Sequence, residues 1–174
     1  MKKSKILIEP DPILRKKCEP LEKVDDSLRK LMDEMLLTMY DAPGIGLAAI
    51  QVGILKRIVV IDISKEEEKK NPLFLINPQI IRKSKNTSIY EEGCLSLPGQ
   101  FAEIERPAEC ELKYIDYSGN EKILTANGLL ATCIQHEVDH LDGILFIDYL
   151  SKLKKDMIIK KLVKQKKEIE RIVV

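Results

Sequence analysis

The sequence has no long apolar run. Its first, Ile6-Leu7-Ile8, ends at once in Glu9-Pro10-Asp11-Pro12, too short for the core of a secretion signal, and no segment approaches the roughly 18 apolar residues of a membrane span. It also lacks a charge excess. Lys and Arg number 29 against 28 Asp and Glu, a net charge of +1, so nothing global calls for a nucleic-acid or other strongly charged partner, and direct DNA binding is not expected. No cysteine pair is evident. Cys18, Cys94, Cys110 and Cys133 are irregularly spaced without a CxxC motif, which argues against a disulfide framework and for a reducing compartment. No repeat or low-complexity linker divides the chain. The expectation is a soluble cytoplasmic protein whose 174 residues, 44% of them hydrophobic, form one unit spanning 1–174 with its own core.

From Asp25 to Tyr40 the apolar residues Leu28, Leu31, Met32, Met35, Leu36 and Met39 recur at helical spacing, with Asp25 or Asp26 placed to cap the first turn. Asp41-Ala42-Pro43-Gly44 stops this helix, and a loop rich in glycine and alanine leads to Gln51. Strand character follows in 57–63, 73–76, 79–81, 108–117 and 122–124, separated by Asn-Pro and Ser-Gly-Asn turn signals. These predict antiparallel sheet. The stretch 64–71 is a charged surface loop. Segment 129–141 has no proline or glycine and stops at Asp142-Gly143, which predicts a helix. Segment 151–174 places Ile158, Leu162, Ile169 and Ile172 at helical intervals among nine Lys or Arg and three Asp or Glu, a basic amphipathic helix. The fold class is α+β: antiparallel sheets around a central helix, with helices towards both ends.

Only two histidines exist, and both lie in His136-Glu137-Val138-Asp139-His140 on the predicted central helix. Residues four apart lie one turn above each other, so both imidazoles can grip one metal ion while Glu137, rotated by about 100°, reaches the same space. A solvent-facing HExxH arising by chance is the bland alternative. A catalytic site of this type wants a third protein ligand and an open position. No further histidine is available, and the downstream carboxylates Asp142, Asp148, Asp156, Glu168 and Glu170 lie near the motif or in the lysine-rich tail. That weakens a zincin-type protease without excluding it. Upstream, Glu91-Glu92-Gly93-Cys94-Leu95-Ser96 places a cysteine in a loop after a strand-like stretch, making Cys94 a candidate thiolate ligand.

Three separate segments then resemble one family. Gly44-Ile45-Gly46-Leu47-Ala48-Ala49-Ile50-Gln51 is similar to the first peptide deformylase motif, Glu92-Gly93-Cys94-Leu95-Ser96 to the second, and Gln135 to His140 to the third, in the family's order. The resemblance implies that Cys94, His136 and His140 bind one divalent metal, Fe2+ as the native ion with Zn2+, Ni2+ or Co2+ as substitutes. It implies Glu137 as general base, the Gln51 amide and Leu95 N–H as oxyanion donors, and Gly44, Ile45, Gly46 and Leu47 as substrate-binding backbone. The implied substrates are N-formylmethionyl nascent polypeptides, and the basic tail suggests docking on the ribosome. Asp139 and Glu92 are expected to support the ligands. A noncatalytic metal-binding or ribosome-associated domain is the remaining alternative.

Overall fold

The computed structural model describes residues 2–64 and 69–172. Helix α1 (Asp26–Asp41) starts at its expected cap: Asp25 is extended, and its side chain accepts from the Leu28 N–H at 2.9 Å. Leu28, Met32, Met35 and Met39 form its buried stripe. They meet Ile58 and Val60 of strand β2 (Ile58–Ile61), which follows the short β1 (Gly46–Ala48). The alternate residues Val59 and Ile61 point the other way, towards Ala131, Ile134, Val138 and Leu141 of helix α2 (Gly128–Leu141). An unbroken apolar run is what a strand covered on both faces requires.

Strands β3 (Leu73–Lys83), β6 (Glu109–Ile115) and β7 (Glu121–Asn127) extend this antiparallel sheet in the order β1-β2-β3-β6-β7, while β4 (Thr87–Cys94) and β5 (Leu97–Pro107) form a separate hairpin. The architecture is α+β, as expected. A third apolar cluster lies beneath the hairpin, where Leu97 and Ile104 meet Leu145, Phe146, Ile147 and Leu162. Leu162 belongs to helix α3 (Lys152–Ile172), of which it is the single buried residue. No helix among the described residues is long and apolar enough to cross a membrane.

Three local expectations need correction. The segment before Gln51 is not all loop, because Gly46–Ala48 pairs with β2 and a 3-10 turn spans Ala49–Val52. The stretches 73–76 and 79–81 are one strand with a bulge at Asn77-Pro78. Proline cannot donate to the ladder there, and the Asn77 side chain instead bonds the Leu21 N–H at 2.8 Å and the Leu21 carbonyl at 2.7 Å. Cys94 lies not in a loop but at the last position of β4, opposite Leu97 across a tight turn. The expected charged loop 64–71 falls partly outside the described residues, as does the end of the expected tail helix at 173–174.

Candidate active site

Helix α2 is placed by its neighbours. Its last turn is followed by Gly143 at φ 75°, where any side chain would strike the Arg15 backbone carbonyl. Gln135, the first residue of the third motif, turns to the sheet: its amide donates to Pro107 O at 2.9 Å and tethers the helix to the end of β5. The opposite face presents His136, Glu137 and His140, all buried.

The two imidazoles approach each other with Nε2 atoms 3.2 Å apart, and Cys94 Sγ, delivered by the end of β4, lies 3.3 Å from His140 Nε2. The donor atoms of Cys94, His136 and His140 fall within 4.8 Å of one another. Glu92 sets the tautomer. Its Oε1 lies 2.8 Å from His136 Nδ1, and Arg106 clamps the carboxylate through Nε at 2.6 Å and Nη2 at 3.0 Å. Burial would raise the Glu92 carboxyl, but the bonds from His136 and Arg106 outweigh it and hold the group below its usual range. An ionised Glu92 accepts a hydrogen from Nδ1 of His136, which leaves Nε2 as the nitrogen that faces His140. Burial and the neighbouring ring push His140 well down, while the Cys94 and Glu92 bonds push His136 up against the opposing effect of burial, so the two rings do not both protonate. A sulfur and two ring nitrogens converging on one point fit a divalent cation of intermediate softness, which would displace the proton that His136 otherwise holds.

Glu137 stands beside these donors. Burial pushes its carboxyl up to about 7, and its Oε2 has no hydrogen-bond partner. A side chain at Gly46 would collide with this carboxyl, which is why β1 carries glycine at that point. Gln51 is 1% exposed, so it is no surface residue. Its Oε1 accepts from Ala48 N–H at 2.9 Å, leaving Nε2 to reach Ser96 Oγ at 3.1 Å and Cys94 Sγ at 3.5 Å.

A cavity of about 400 Å3 opens next to these groups. Gly44, Ile45, Gly46, Gln51, Cys94, Leu95, His136 and Glu137 all line it. Leu47 does not: it is fully buried, packed with the residues of α1. Cys133 belongs to the core and also borders the cavity.

Sequence reasoning passes over several residues here. Arg106 is 4% exposed and joins Glu92 to Asp139, whose Oδ2 accepts from Arg106 Nη1 at 2.8 Å and from the Tyr149 hydroxyl at 2.7 Å. One arginine among the charges of β5 carries no local mark of this role. Thr132 could have been found, because it precedes His136 by one turn on the same face.

The profile of the family described as Polypeptide deformylase matches residues 3–156. A peptide deformylase of Pelagibacter ubique is 65% identical over 161 residues, covering 92% of this chain and 94% of the relative. The crystal structure of peptide deformylase from Ehrlichia chaffeensis superposes with a TM-score of 0.91 at 44% identity, covering 96% of this chain and 98% of that one. The same enzyme in complex with actinonin gives a TM-score of 0.90 at 46% identity over 95% and 98% of the two chains. With matches that run through nearly the whole chain in both sequence and fold, this protein belongs to the peptide deformylase family, hydrolases that remove the formyl group from nascent chains.

Proposed function

We propose that the chain acts as one catalytic unit that hydrolyses the formyl amide of N-formylmethionyl polypeptides at the groups around Glu137. Cys94, His136 and His140 would hold one divalent cation, Fe2+ in the native enzyme, with Zn2+, Ni2+ or Co2+ as substitutes. Bound there, such an ion supplies Lewis-acid activation of water at neutral pH. Glu137 takes the proton of the attacking water and returns it to the departing amine nitrogen; a carboxyl near 7 suits both directions of transfer. As the formyl oxygen gains negative charge, Gln51 Nε2 and the Leu95 N–H donate to it. Backbone groups of Gly44, Ile45, Gly46 and Leu47, at the open edge of β1, hold the peptide extended. The methionine side chain fills the adjacent cavity. Glu92 and Arg106 keep His136 in its ligating tautomer.

The observation that carries this reading is the unpartnered Glu137 Oε2 beside three converging donors in one cavity. Formate release from formyl-Met-Ala-Ser, with Glu137→Ala as control, tests it. Turnover by the wild type alone is expected. Cleavage of internal peptide bonds without formate would favour the protease instead, and neither activity would leave a binding domain. Metal-exchanged protein assayed without oxygen checks the native ion, which is not iron if the zinc form matches the iron form.

We infer further, from the family resemblance, that α3 docks on the ribosome, a reading its charge supports. Nine Lys or Arg face three Asp or Glu over 151–174, suited to RNA phosphates, and Met157 and Ile169 are exposed among them. Co-sedimentation at rising salt should show binding by the full chain and its loss on truncation of α3.

A further inference from the structure

Gln51, Glu92, His136 and Glu137 serve the reacting end of the cavity, and one buried polar group remains that the chemistry does not use. Thr132 lines the cavity one turn before His136, is 4% exposed, and its hydroxyl has no hydrogen-bond partner. A threonine in a helix ordinarily returns its hydroxyl to the carbonyl of the preceding turn. For Thr132 that carbonyl belongs to Gly128, and the bond is not made. Leaving a buried hydroxyl unsatisfied is unfavourable unless a ligand supplies the partner. Leu129 and Cys133 flank it along the cavity. Burial pushes the Cys133 thiol well up, so that neighbour stays neutral and behaves as a small apolar group.

We propose that the Thr132 hydroxyl donates to the sulfur of the substrate's first side chain and thereby selects methionine over an isosteric chain that has no acceptor. The inference rests on the deformylase reading and names the feature of the substrate that the cavity recognises. A thioether sulfur is a weak acceptor, so the preference is modest, but nothing else about the chain need change to create it. In norleucine a methylene replaces the sulfur at nearly the same shape, and the hydroxyl then stays orphaned in the complex.

The test is competition between formyl-Met-Ala-Ser and formyl-Nle-Ala-Ser in one reaction, which yields the ratio of their kcat/KM values independently of the active fraction. The wild type should favour methionine by about twofold to tenfold, the range of one neutral hydrogen bond. Thr132→Val, which keeps the shape and removes the hydroxyl, should bring the ratio close to unity, and Thr132→Ser should retain the preference. If the valine variant is inactive, the same ratio is read from the Kd values of the two deformylated peptides. A valine variant that keeps the wild-type ratio, or a wild type that shows no preference, overturns the proposal. Failure of the wild type to release formate from either peptide removes the deformylase reading, and the selection with it.

Discussion

Helices α2 and α3 both have apolar residues at helical spacing, yet ten of the 14 residues of α2 are buried and only Leu162 of the 21 in α3. The difference lies in what meets them. Helix α2 has the sheet on one side and the β4–β5 hairpin on another, so even its polar residues leave water, and His136 and Asp139 find partners in Glu92 and Arg106. Helix α3 packs on the fold beneath the hairpin through Leu162, and Ile169 and Ile172 stay 62% and 82% exposed. A helical pattern states which face is apolar, whereas the surrounding elements decide how much of the helix is covered. The candidate site sits on the covered helix, where charges are desolvated enough to interact strongly.

The comparison predicts unequal responses to substitution. Glu137→Gln on α2 should lower formate release about 10²- to 10⁴-fold, the usual worth of a positioned acid-base group, while metal content measured by atomic absorption stays stoichiometric. Loss of the metal together with the activity would make Glu137 a ligand or a prop instead. Arg106→Met strands the Glu92 and Asp139 carboxylates in the interior without their cation, and urea unfolding should register a loss of about 3–5 kcal/mol.

On α3 the effects should be smaller and uneven. Leu162→Ala should cost about 2–4 kcal/mol as a buried truncation, but Ile169→Ala less than about 0.5 kcal/mol, as at an exposed position. Equal costs would mean that the far end of α3 is covered after all. The root of α3 should also respond to acid. Burial alone would raise the Asp148 carboxyl, but donors from Lys155, the Leu145 N–H and Arg15 outweigh it and hold the group below its usual range. A carboxyl depressed in the folded state adds stability above its unfolded value, near about 3.9, and loses it as pH falls through the folded value. Thermal unfolding should therefore separate wild type from Asp148→Asn near neutral pH, with the gap closing in strong acid. A gap that persists in strong acid would mean that this carboxyl's charge is not what ties α3 down.

Much of the site is legible in the residues, and the exceptions share a cause. The histidine spacing and Cys94 as a candidate donor can be read from the residues, whereas the approach of Gly46 to Glu137 cannot. The hairpin that delivers Cys94 is harder to see: Ile89 and Phe101 are exposed, and charges crowd β4 and β5, so the alternation that marks a strand is weak. Arg106 is invisible for a related reason. It looks like its charged neighbours until the fold buries it against Glu92.

By itself the sequence determined the family, the α+β class, the capped first helix and the stacking of two imidazoles on one helical turn, because caps, periodicity and i,i+4 geometry act over a few residues. Tertiary structure alone decided that Cys94 Sγ comes within 3.3 Å of His140, that Arg106 locks Glu92 onto His136, and that Thr132 is left with a hydroxyl facing no partner. Those outcomes depend on the meeting of chain segments dozens of residues apart. Burial then changes what each group costs or contributes, and no local pattern encodes that change.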